Sequence, residues 1–196
     1  LIRFAGIETD KLRAVFTHGK AGRTGLTEFE AWGPGTLPYF PPPPSAGNLA
    51  LNQKGEGFPK AAASFHDTFG GVPKLAIDGR TGYLPVPVNR WTSYGSPNKT
   101  DWLEVDFGEP KEFSRIDMGI FDDRGGVQAP ESYTVQYDDG SQWRDAAGQV
   151  RTPDKPIGGA VNSVKFDRVT AAKVRVVFTH KGQAKSGVTE LEVWKE

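Results

Sequence analysis

Residues 165–194 read KFDRVTAAKVRVVFTHKGQAKSGVTELEVW, and the chain opens with a diverged copy of them. The copy, residues 3–32, reads RFAGIETDKLRAVFTHGKAGRTGLTEFEAW and aligns without a gap at an offset of 162 residues. Twelve of the thirty aligned positions are identical, among them His18 and His180. An offset of this size is about the length of one domain. The sequence therefore predicts the tail of one module followed by a complete second module. Since the chain starts at Leu1 rather than Met, we expect it to be a piece of a longer polypeptide.

The repeated segment has the pattern of two strands joined by a loop. Residues 173–179 (KVRVVFT) and 189–194 (TELEVW) place their side chains alternately on two faces, as strands do. The loop between them carries glycine and lysine. The same pattern in the first copy predicts strands over 11–17 and 26–32. We expect these to form an ordered, hairpin-like element that the second module does not need in order to fold.

The rest of the second module also has the pattern of short strands. No segment shows a sustained helical period, and Gly, Pro, Asp or Asn punctuate the segments between apolar stretches. This pattern predicts an all-β sandwich or jelly roll. The predicted strands are 102–107, 113–121, 131–138, 142–146, 162–167, 173–179 and 188–194.

The chain is thereby divided into three parts. Residues 1–32 are predicted to be the C-terminal remnant of an upstream domain. Residues 33–47 (GPGTLPYFPPPPSAG) are a proline-rich linker, which favours polyproline II and acts as a semi-rigid spacer. Residues 48–196 form the complete domain.

Composition excludes several classes of function. Lys and Arg total 24 and so do Asp and Glu, so the net charge is zero. Binding to nucleic acid or to an anionic membrane needs a basic face, and neither partner is predicted. No apolar run approaches the roughly 18 residues of a membrane helix. The absence of cysteine excludes disulfides and thiol catalysis.

Five motifs resemble those of a known family in order and spacing. They are 48–50 (NLA), 76–79 (AIDG), 90–93 (RWTS), 102–108 (WLEVDFG) and 189–194 (TELEVW). They resemble the discoidin, or coagulation factor V/VIII C-type, domain, and within it most of all the family 32 carbohydrate-binding modules. The resemblance implies a galactose-binding-like jelly-roll β-sandwich over residues 48–196. It does not imply one ligand, because such domains bind galactosides, other sugars, lipid head groups or proteins through variable loops.

The resemblance also implies a structural calcium ion. In sugar-binding members, an aspartate in the turn that corresponds to Asp78 and a glutamate on the last strand hold calcium together with loop carbonyls. Calcium takes oxygen ligands, and the side-chain candidates here are Asp78, Thr81 and Glu190. Many members carry a second acidic residue where this chain has Arg80. The alternative for Asp78 is an ordinary Asp-Gly turn.

Aromatic and polar residues on predicted loops are the candidates for ligand binding. Tyr94 lies just beyond a motif and can stack on a sugar, whereas Phe69 and Tyr83 are weaker candidates. The loop 121–128 (FDDRGGVQ) is either a solvated turn or a sugar-recognition loop, in which Arg donates, Asp accepts and Gln does both, as vicinal hydroxyls require. His180 has either a ligand role or a strand-end hydrogen bond. The predicted ligand-binding residues are His66, Tyr94, Asn98, Arg124, Gln128 and His180.

The tryptophans of the motifs have a different interpretation. Trp91, Trp102 and Trp194 each lie inside a motif that defines the fold. We therefore predict that they pack in the core rather than stack on sugar.

These features predict a non-catalytic carbohydrate-binding module of a secreted, multidomain glycan-active enzyme such as a glycoside hydrolase. Its partners would be the terminal sugar of a polysaccharide and the parent catalytic domain. The alternative is a structural or protein-interaction β-sandwich, packed against the catalytic domain with no ligand of its own. A glycosidase would need separated acids, whereas Asp122 and Asp123 are adjacent and would point to opposite faces of a strand.

Overall fold

The computed structural model describes residues 2, 4–20, 22, 24–25, 29, 31, 46–81 and 88–195. The chain divides into two compact units, Leu1–Phe40 and Pro41–Glu196. Within the described residues, every helix or strand belongs to the second unit. None of the helices in this part of the chain is long and apolar enough to span a membrane.

The first unit does not contain the strand that the repeat predicts for residues 11–17. These residues have no regular secondary structure, so that prediction is wrong. A strand is defined by the hydrogen bonds it exchanges with a partner, and sequence alternation alone cannot supply one. The predicted partner, 26–32, lies mostly outside the described residues. The linker 33–47 also lies outside them, except for its last two residues.

Over its described residues, the second unit is built from eight strands and one short 3₁₀ turn. All seven predicted strands are present, but two pairs of them are continuous long strands. Three short strands were not predicted, namely the first, the second and the sixth. The elements are β1 (Lys60–Ala63), the 3₁₀ turn (Pro73–Ala76), β2 (Trp91–Thr92), β3 (Thr100–Ile120), β4 (Ser132–Asp138), β5 (Trp143–Asp145), β6 (Val150–Thr152), β7 (Ala160–Thr179) and β8 (Gly187–Trp194).

The two long strands, β3 and β7, pair with each other along nearly their whole length. The antiparallel register places Leu103 opposite Val176 in one half and Ile116 opposite Val164 in the other. Between these halves the register shifts, from Asp106 to Lys111 on β3. Shifts of this kind bend a strand, so one pair of strands can pass from one layer of a sandwich to the other.

The remaining strands add to one half or the other. β1 pairs with the first half of β3, and β4, which carries β5, pairs with the second half of β7. β8, which carries β2, pairs with the second half of β3, and β6 pairs with the first half of β7. All these pairs are antiparallel. The result is the predicted antiparallel β-sandwich.

The core lies between the two layers. Trp91, on β2, is fully buried, and its ring centroid is 5.7 Å from that of Phe178 on β7. Leu103 and Val105 point inward from β3, while Ile116 and Met118 point inward from its second half. Burial of these apolar side chains is the main favourable term in folding, at about 25 cal/mol per Å² of apolar surface.

Two of the three motif tryptophans do not lie in this core. Trp91 does, but Trp102 and Trp194 are only half-buried, so for them the prediction of core packing is wrong. Trp102 precedes Leu103, and alternation places it on the opposite face of the strand. There the Arg175 guanidinium lies 5.8 Å from the Trp102 ring. A second arginine lies 5.1 Å from the Trp194 ring.

The beginning of the module is bound to its last strand. The Asn48 side-chain oxygen accepts hydrogen bonds from the backbone N–H groups of Ala50, at 2.9 Å, and Val193, at 3.0 Å. The Leu49 N–H donates to the Val193 carbonyl oxygen at 2.8 Å. Leu49 also packs against the core. These contacts make Asn48 the structural start of the domain.

We predict that residues 48–196 expressed alone fold and melt within a few degrees of the full chain, because the whole core cluster lies inside them. A shorter fragment, 60–196, lacks the contacts of Asn48 and Leu49. It should melt lower by on the order of 10 °C, since each lost hydrogen bond costs about 1 kcal/mol. Circular dichroism melting of the three proteins is the measurement. If 48–196 does not fold, residues before Asn48 complete the domain.

Candidate functional site

Four loops meet at one end of the sandwich. They are 64–72, 93–99, 121–128 and 180–186. The Ser93 N–H donates to the Ser186 carbonyl oxygen at 2.9 Å, and the Asp67 N–H donates to the Thr92 carbonyl oxygen at 3.1 Å. Val127 forms a parallel bridge with Lys185. These are the loops on which the sequence predicts ligand-binding residues, so the fold brings those residues to one surface.

An exposed aromatic pair lies on this surface. Tyr94 is 46% exposed and Phe69 is 75% exposed. Their ring centroids lie 6.0 Å apart, with the ring planes tilted by 55°. Tyr94 was the preferred stacking candidate, whereas Phe69 was a weaker one that the structure places beside it. Tyr83, the other weaker candidate, lies outside the described residues.

The Tyr94 ring lies directly against Gly126 of the neighbouring loop. A Cβ atom on Gly126 would lie 2.3 Å from Cε2 of Tyr94, which is closer than any real contact. Only glycine allows this approach. Gly126 therefore determines the position of the stacking candidate.

Asp67 shapes the loop that carries Phe69. One carboxylate oxygen accepts the N–H groups of Phe69 at 2.7 Å and Gly71 at 2.9 Å, and the other accepts the Thr92 hydroxyl. Burial alone would raise the pKa of Asp67, but the hydrogen bonds from Thr92, Gly71 and Phe69 hold it below its ordinary value. An ionised, buried carboxylate therefore orders this loop. No motif in the sequence indicates a role for Asp67.

The acidic residues of loop 121–128 also accept hydrogen bonds from backbone N–H groups of their own loop. Asp122 accepts the Arg124 N–H at 2.7 Å, and Asp123 accepts the N–H groups of Gly125, at 2.7 Å, and Val127, at 3.0 Å. Arg124 has a positive φ of 58° and its side chain is exposed. The loop therefore presents the Arg124 guanidinium to solvent beside the exposed Asp123.

The other predicted ligand residues occupy the same set of loops. His66 is exposed, and its Nδ1 lies 2.9 Å from the carbonyl oxygen of the next residue. Gln128 is half-buried and donates to the Gly125 carbonyl oxygen at 2.9 Å. Asn98 is exposed, and the Lys185 ammonium donates to its backbone carbonyl oxygen at 3.0 Å. Lys185 was not predicted, although the loop that carries it had been noted as rich in lysine.

His180 differs from the other five. It is only 8% exposed, and both ring nitrogens have partners within the protein, so direct ligand contact stays a prediction. Its Nε2 lies 2.8 Å from an Asp101 oxygen, and its Nδ1 lies 3.0 Å from the Ser186 hydroxyl. Of the two roles that the sequence left open, the structure shows the hydrogen bond at the strand end.

The first unit contains the same histidine contact. The Nδ1 atom of His18 lies 3.1 Å from the Thr24 hydroxyl and accepts the Thr24 N–H, also at 3.1 Å. In the alignment of the two copies, Thr24 corresponds to Ser186. The contact between a histidine and a hydroxyl six residues later therefore belongs to the repeated segment. In the first copy, Nδ1 is an acceptor, which leaves the ring proton on Nε2.

The predicted metal residues bring two carboxylates together. Glu190 is 1% exposed, and its two oxygens lie 3.1 and 3.0 Å from the Gly79 N–H that they accept. Burial, with a further contribution from the nearby Asp78 charge, raises the pKa of Glu190 to about 8. Burial also raises the pKa of Asp78, which accepts the Arg80 N–H at 3.0 Å. Thr81 is exposed.

The chemistry of this pair suits a hard cation in part. Two carboxylates that burial makes difficult to ionise would be stabilised as anions by a bound Ca²⁺, which prefers oxygen ligands. Within the described ranges, no three His, Cys, Asp or Glu residues come together. The other ligands would have to be hydroxyl and carbonyl oxygens near Thr81, and residues 82–87 lie outside the described residues. Calcium stays a prediction.

Comparison with known proteins identifies the family. The sequence profile of the F5/8 type C domain matches residues 60–191. The chain belongs to the F5/8 type C domain family. This is the family that the five motifs resemble, and the structure extends the domain back to Asn48.

Solved structures share this fold. One, described under the Streptococcus pneumoniae beta-galactosidase BgaA, has a TM-score of 0.69 at 21% identity and matches 76% of this chain and 98% of the other. Chitosan-binding module 2 from a Paenibacillus sp. IK-5 chitosanase/glucanase, solved with chitotriose, has a TM-score of 0.55 at 25% identity. It matches 76% of this chain and 100% of the other. The family 32 module of C. perfringens NanJ, solved with galactose, has a TM-score of 0.55 at 18% identity. It matches 69% of this chain and 93% of the other. The predicted fold and the resemblance to family 32 modules are confirmed.

The raised pKa of Glu190 predicts that the stability of the protein depends on pH when a chelator keeps metal ions away from the site. Its pKa is about 8 in the folded protein and 4.5 ordinarily. A group whose pKa is raised by folding stabilises the folded state below its unfolded pKa and loses that contribution as the pH rises through its folded pKa. The melting temperature should therefore fall between about pH 5 and pH 8, and Glu190→Gln should flatten this slope. Glu131→Gln, at an exposed site, is the control. An equal slope in wild type and Glu190→Gln would contradict the prediction.

Proposed function

We propose that residues 48–196 are a non-catalytic carbohydrate-binding module. The observation that carries this proposal is the exposed pair Phe69 and Tyr94, which adjoins loops bearing Asn98 and Arg124. An exposed aromatic surface bordered by polar groups is typical of a ligand site. A sugar ring can stack its C–H face on such a surface while its hydroxyls bond to the border.

The polar groups of the surface suit hydroxyl recognition. Arg124 donates in a planar fork, and the amide of Gln128 both donates and accepts. The carboxylates of Asp67 and Asp123 are taken up by backbone N–H groups in the loops. Loop 121–128 exposes both the Arg124 guanidinium and the Asp123 carboxylate, so it offers sugar hydroxyls a donor and an acceptor.

The relatives support the same class of ligand. Two structural neighbours were solved with chitotriose and with galactose, and one of these modules derives from a chitosanase/glucanase. By this analogy, the present module belongs to a secreted, multidomain glycan-active enzyme and holds it on the terminal sugars of its polysaccharide. One site of this size should bind weakly, and a preceding copy in the parent protein would add avidity.

The loop residues predict which substitutions weaken binding. Tyr94→Ala and Arg124→Ala should each cost about 1–3 kcal/mol of glycan binding while leaving the melting temperature nearly unchanged. Gly126→Ala should weaken binding similarly, because its Cβ displaces the Tyr94 ring. A glycan array selects the ligand, and calorimetry with that glycan measures the losses.

Two control variants match these substitutions. Arg144→Ala removes an exposed arginine that pairs with Asp139, and Gly25→Ala adds a Cβ that meets no atom within 4 Å. Neither should change binding. If the three loop variants bind like wild type, the ligand lies elsewhere. If wild type binds no glycan, the structural or protein-interaction role replaces this proposal.

We also propose that Asp78, Thr81 and Glu190 contribute to a structural calcium site. The support is the pair of carboxylates, one of them fully buried, described above. A chelator should then lower the melting temperature, because an ion that binds only the folded state stabilises it by mass action. Asp78→Ala should lower it without chelator, and added Ca²⁺ should restore the wild type alone. A melting curve that chelator leaves unchanged, on protein with measured metal content, would remove the site.

A further inference from the structure

A buried carboxylate joins three of the four loops of the candidate glycan surface. Asp101 lies at the beginning of β3 and is 0% exposed. One of its oxygens accepts the Ser64 hydroxyl at 2.6 Å and the Asn98 side-chain amide at 2.9 Å. The other lies 2.8 Å from Nε2 of His180. The three partners belong to the loops 64–72, 93–99 and 180–186.

The hydrogen bonds keep Asp101 ionised. Burial alone would raise its pKa, but the hydrogen bonds from His180, Ser64 and Asn98 hold the pKa of Asp101 well below its ordinary value. An ionised carboxylate accepts hydrogen bonds and cannot donate one. Each group that faces Asp101 must therefore be a donor.

This requirement determines which end of the Asn98 amide faces solvent. The NH₂ group must point to Asp101, because the amide oxygen there would meet a like charge. The Asn98 side-chain oxygen is then directed away from Asp101, and Asn98 is exposed. The hydrogen bond from Lys185 to the Asn98 carbonyl oxygen, at 3.0 Å, holds the backbone of the same residue.

The same requirement determines the state of His180. Its Nε2 must carry a proton to donate to Asp101, and Nδ1 can then accept the Ser186 hydroxyl. The corresponding His18 has its Nδ1 as an acceptor, from the Thr24 N–H at 3.1 Å. The ring is thus a link between Asp101 and the loop 180–186.

We propose that Asp101 is a positioning residue of the glycan site, which holds the Asn98 amide with its oxygen toward the ligand and so makes that position an acceptor. The proposal rests on the glycan-binding function proposed above. It deepens that function by assigning the polarity of one contact. The position takes a sugar hydroxyl or an acetamido N–H. An ether or a carboxylate offers no donor there.

The decisive variant is Asn98→Asp. It keeps an outward acceptor oxygen but replaces the inward NH₂ by an oxygen that the Asp101 charge repels. Affinity for galactose-coated or chitotriose-coated surfaces should fall on the order of tenfold, as far as it falls for Asn98→Ala, because one hydrogen bond to the ligand is lost. Gln142→Glu adds the same charge on the exposed turn after β4 and should bind like wild type. Retained binding by Asn98→Asp would overturn the proposal.

A double-mutant cycle separates positioning from stability alone. Asp101→Ala should weaken binding about as much as Asn98→Ala does. The double variant should bind no more weakly than either single variant, because both changes remove the same hydrogen bond between Asn98 and the ligand. If Asp101 served only stability, its substitution would lower the melting temperature and the binding losses would be additive. Should Asp101→Ala not fold, Asn98→Asp decides, because its site is exposed.

A measurement without ligand distinguishes failure of this proposal from failure of the glycan function. In the NMR spectrum of the wild type, the side-chain NH₂ protons of Asn98 should exchange with solvent on the order of tenfold more slowly than those of the exposed Gln142, since they are hydrogen-bonded to Asp101. Slow exchange with no binding to either surface would leave the Asp101 contact intact and reject the glycan function for these sugars. Equal exchange rates would reject the positioning role.

Discussion

The antiparallel pairing of β3 with β7 is the constraint on which the rest of the domain depends. These strands pair from Thr100 opposite Thr179 to Ile120 opposite Ala160, with register shifts between the two halves. Every other strand adds directly or through one neighbour to this pair. Because the two strands belong to both layers, their ends determine where the loops emerge. The surface formed by loops 64–72, 93–99, 121–128 and 180–186 therefore follows from the pairing.

Buried or loop-bound carboxylates give this surface its shape. Asp67, Asp101 and Asp123 each accept at least two N–H or O–H groups from the loops they hold. Hydrogen bonds to carboxylates are shorter and stronger than those between neutral groups, so each of these side chains fixes the loop it contacts. Glu190 is the contrast, because burial outweighs its contacts with Gly79 and raises its pKa. Carboxylates whose pKa is lowered by loop hydrogen bonds, such as Asp67 and Asp101, therefore order the loops. A carboxylate whose pKa is raised by burial, such as Glu190, suits a bound cation.

Much of the fold could be predicted because strand alternation is local. All of the long strands were found, since their inward residues, such as Leu103 and Val105, alternate with outward ones. β1 and β6 were missed because strands of four and three residues carry too little pattern to distinguish them from loops. Membership of a fold-defining motif predicted core packing for Trp102, whereas its phase relative to Leu103 places its side chain on the opposite face of the strand. Of the candidate site, the loops were found but not the contacts between them.

The sequence by itself determined the sandwich, the family resemblance and the set of loops, because each depends on spacing along the chain. The tertiary structure alone decided the contacts of individual residues. The sequence leaves open whether His180 contacts a ligand or forms a hydrogen bond at the strand end. The structure places Asp101, 79 residues away in the chain, in hydrogen-bond contact with its ring. Phe69 becomes a strong stacking candidate only because the structure places its ring beside that of Tyr94. Hydrogen bonds and ring contacts between distant loops depend on how strands pair, and no local pattern encodes those partners.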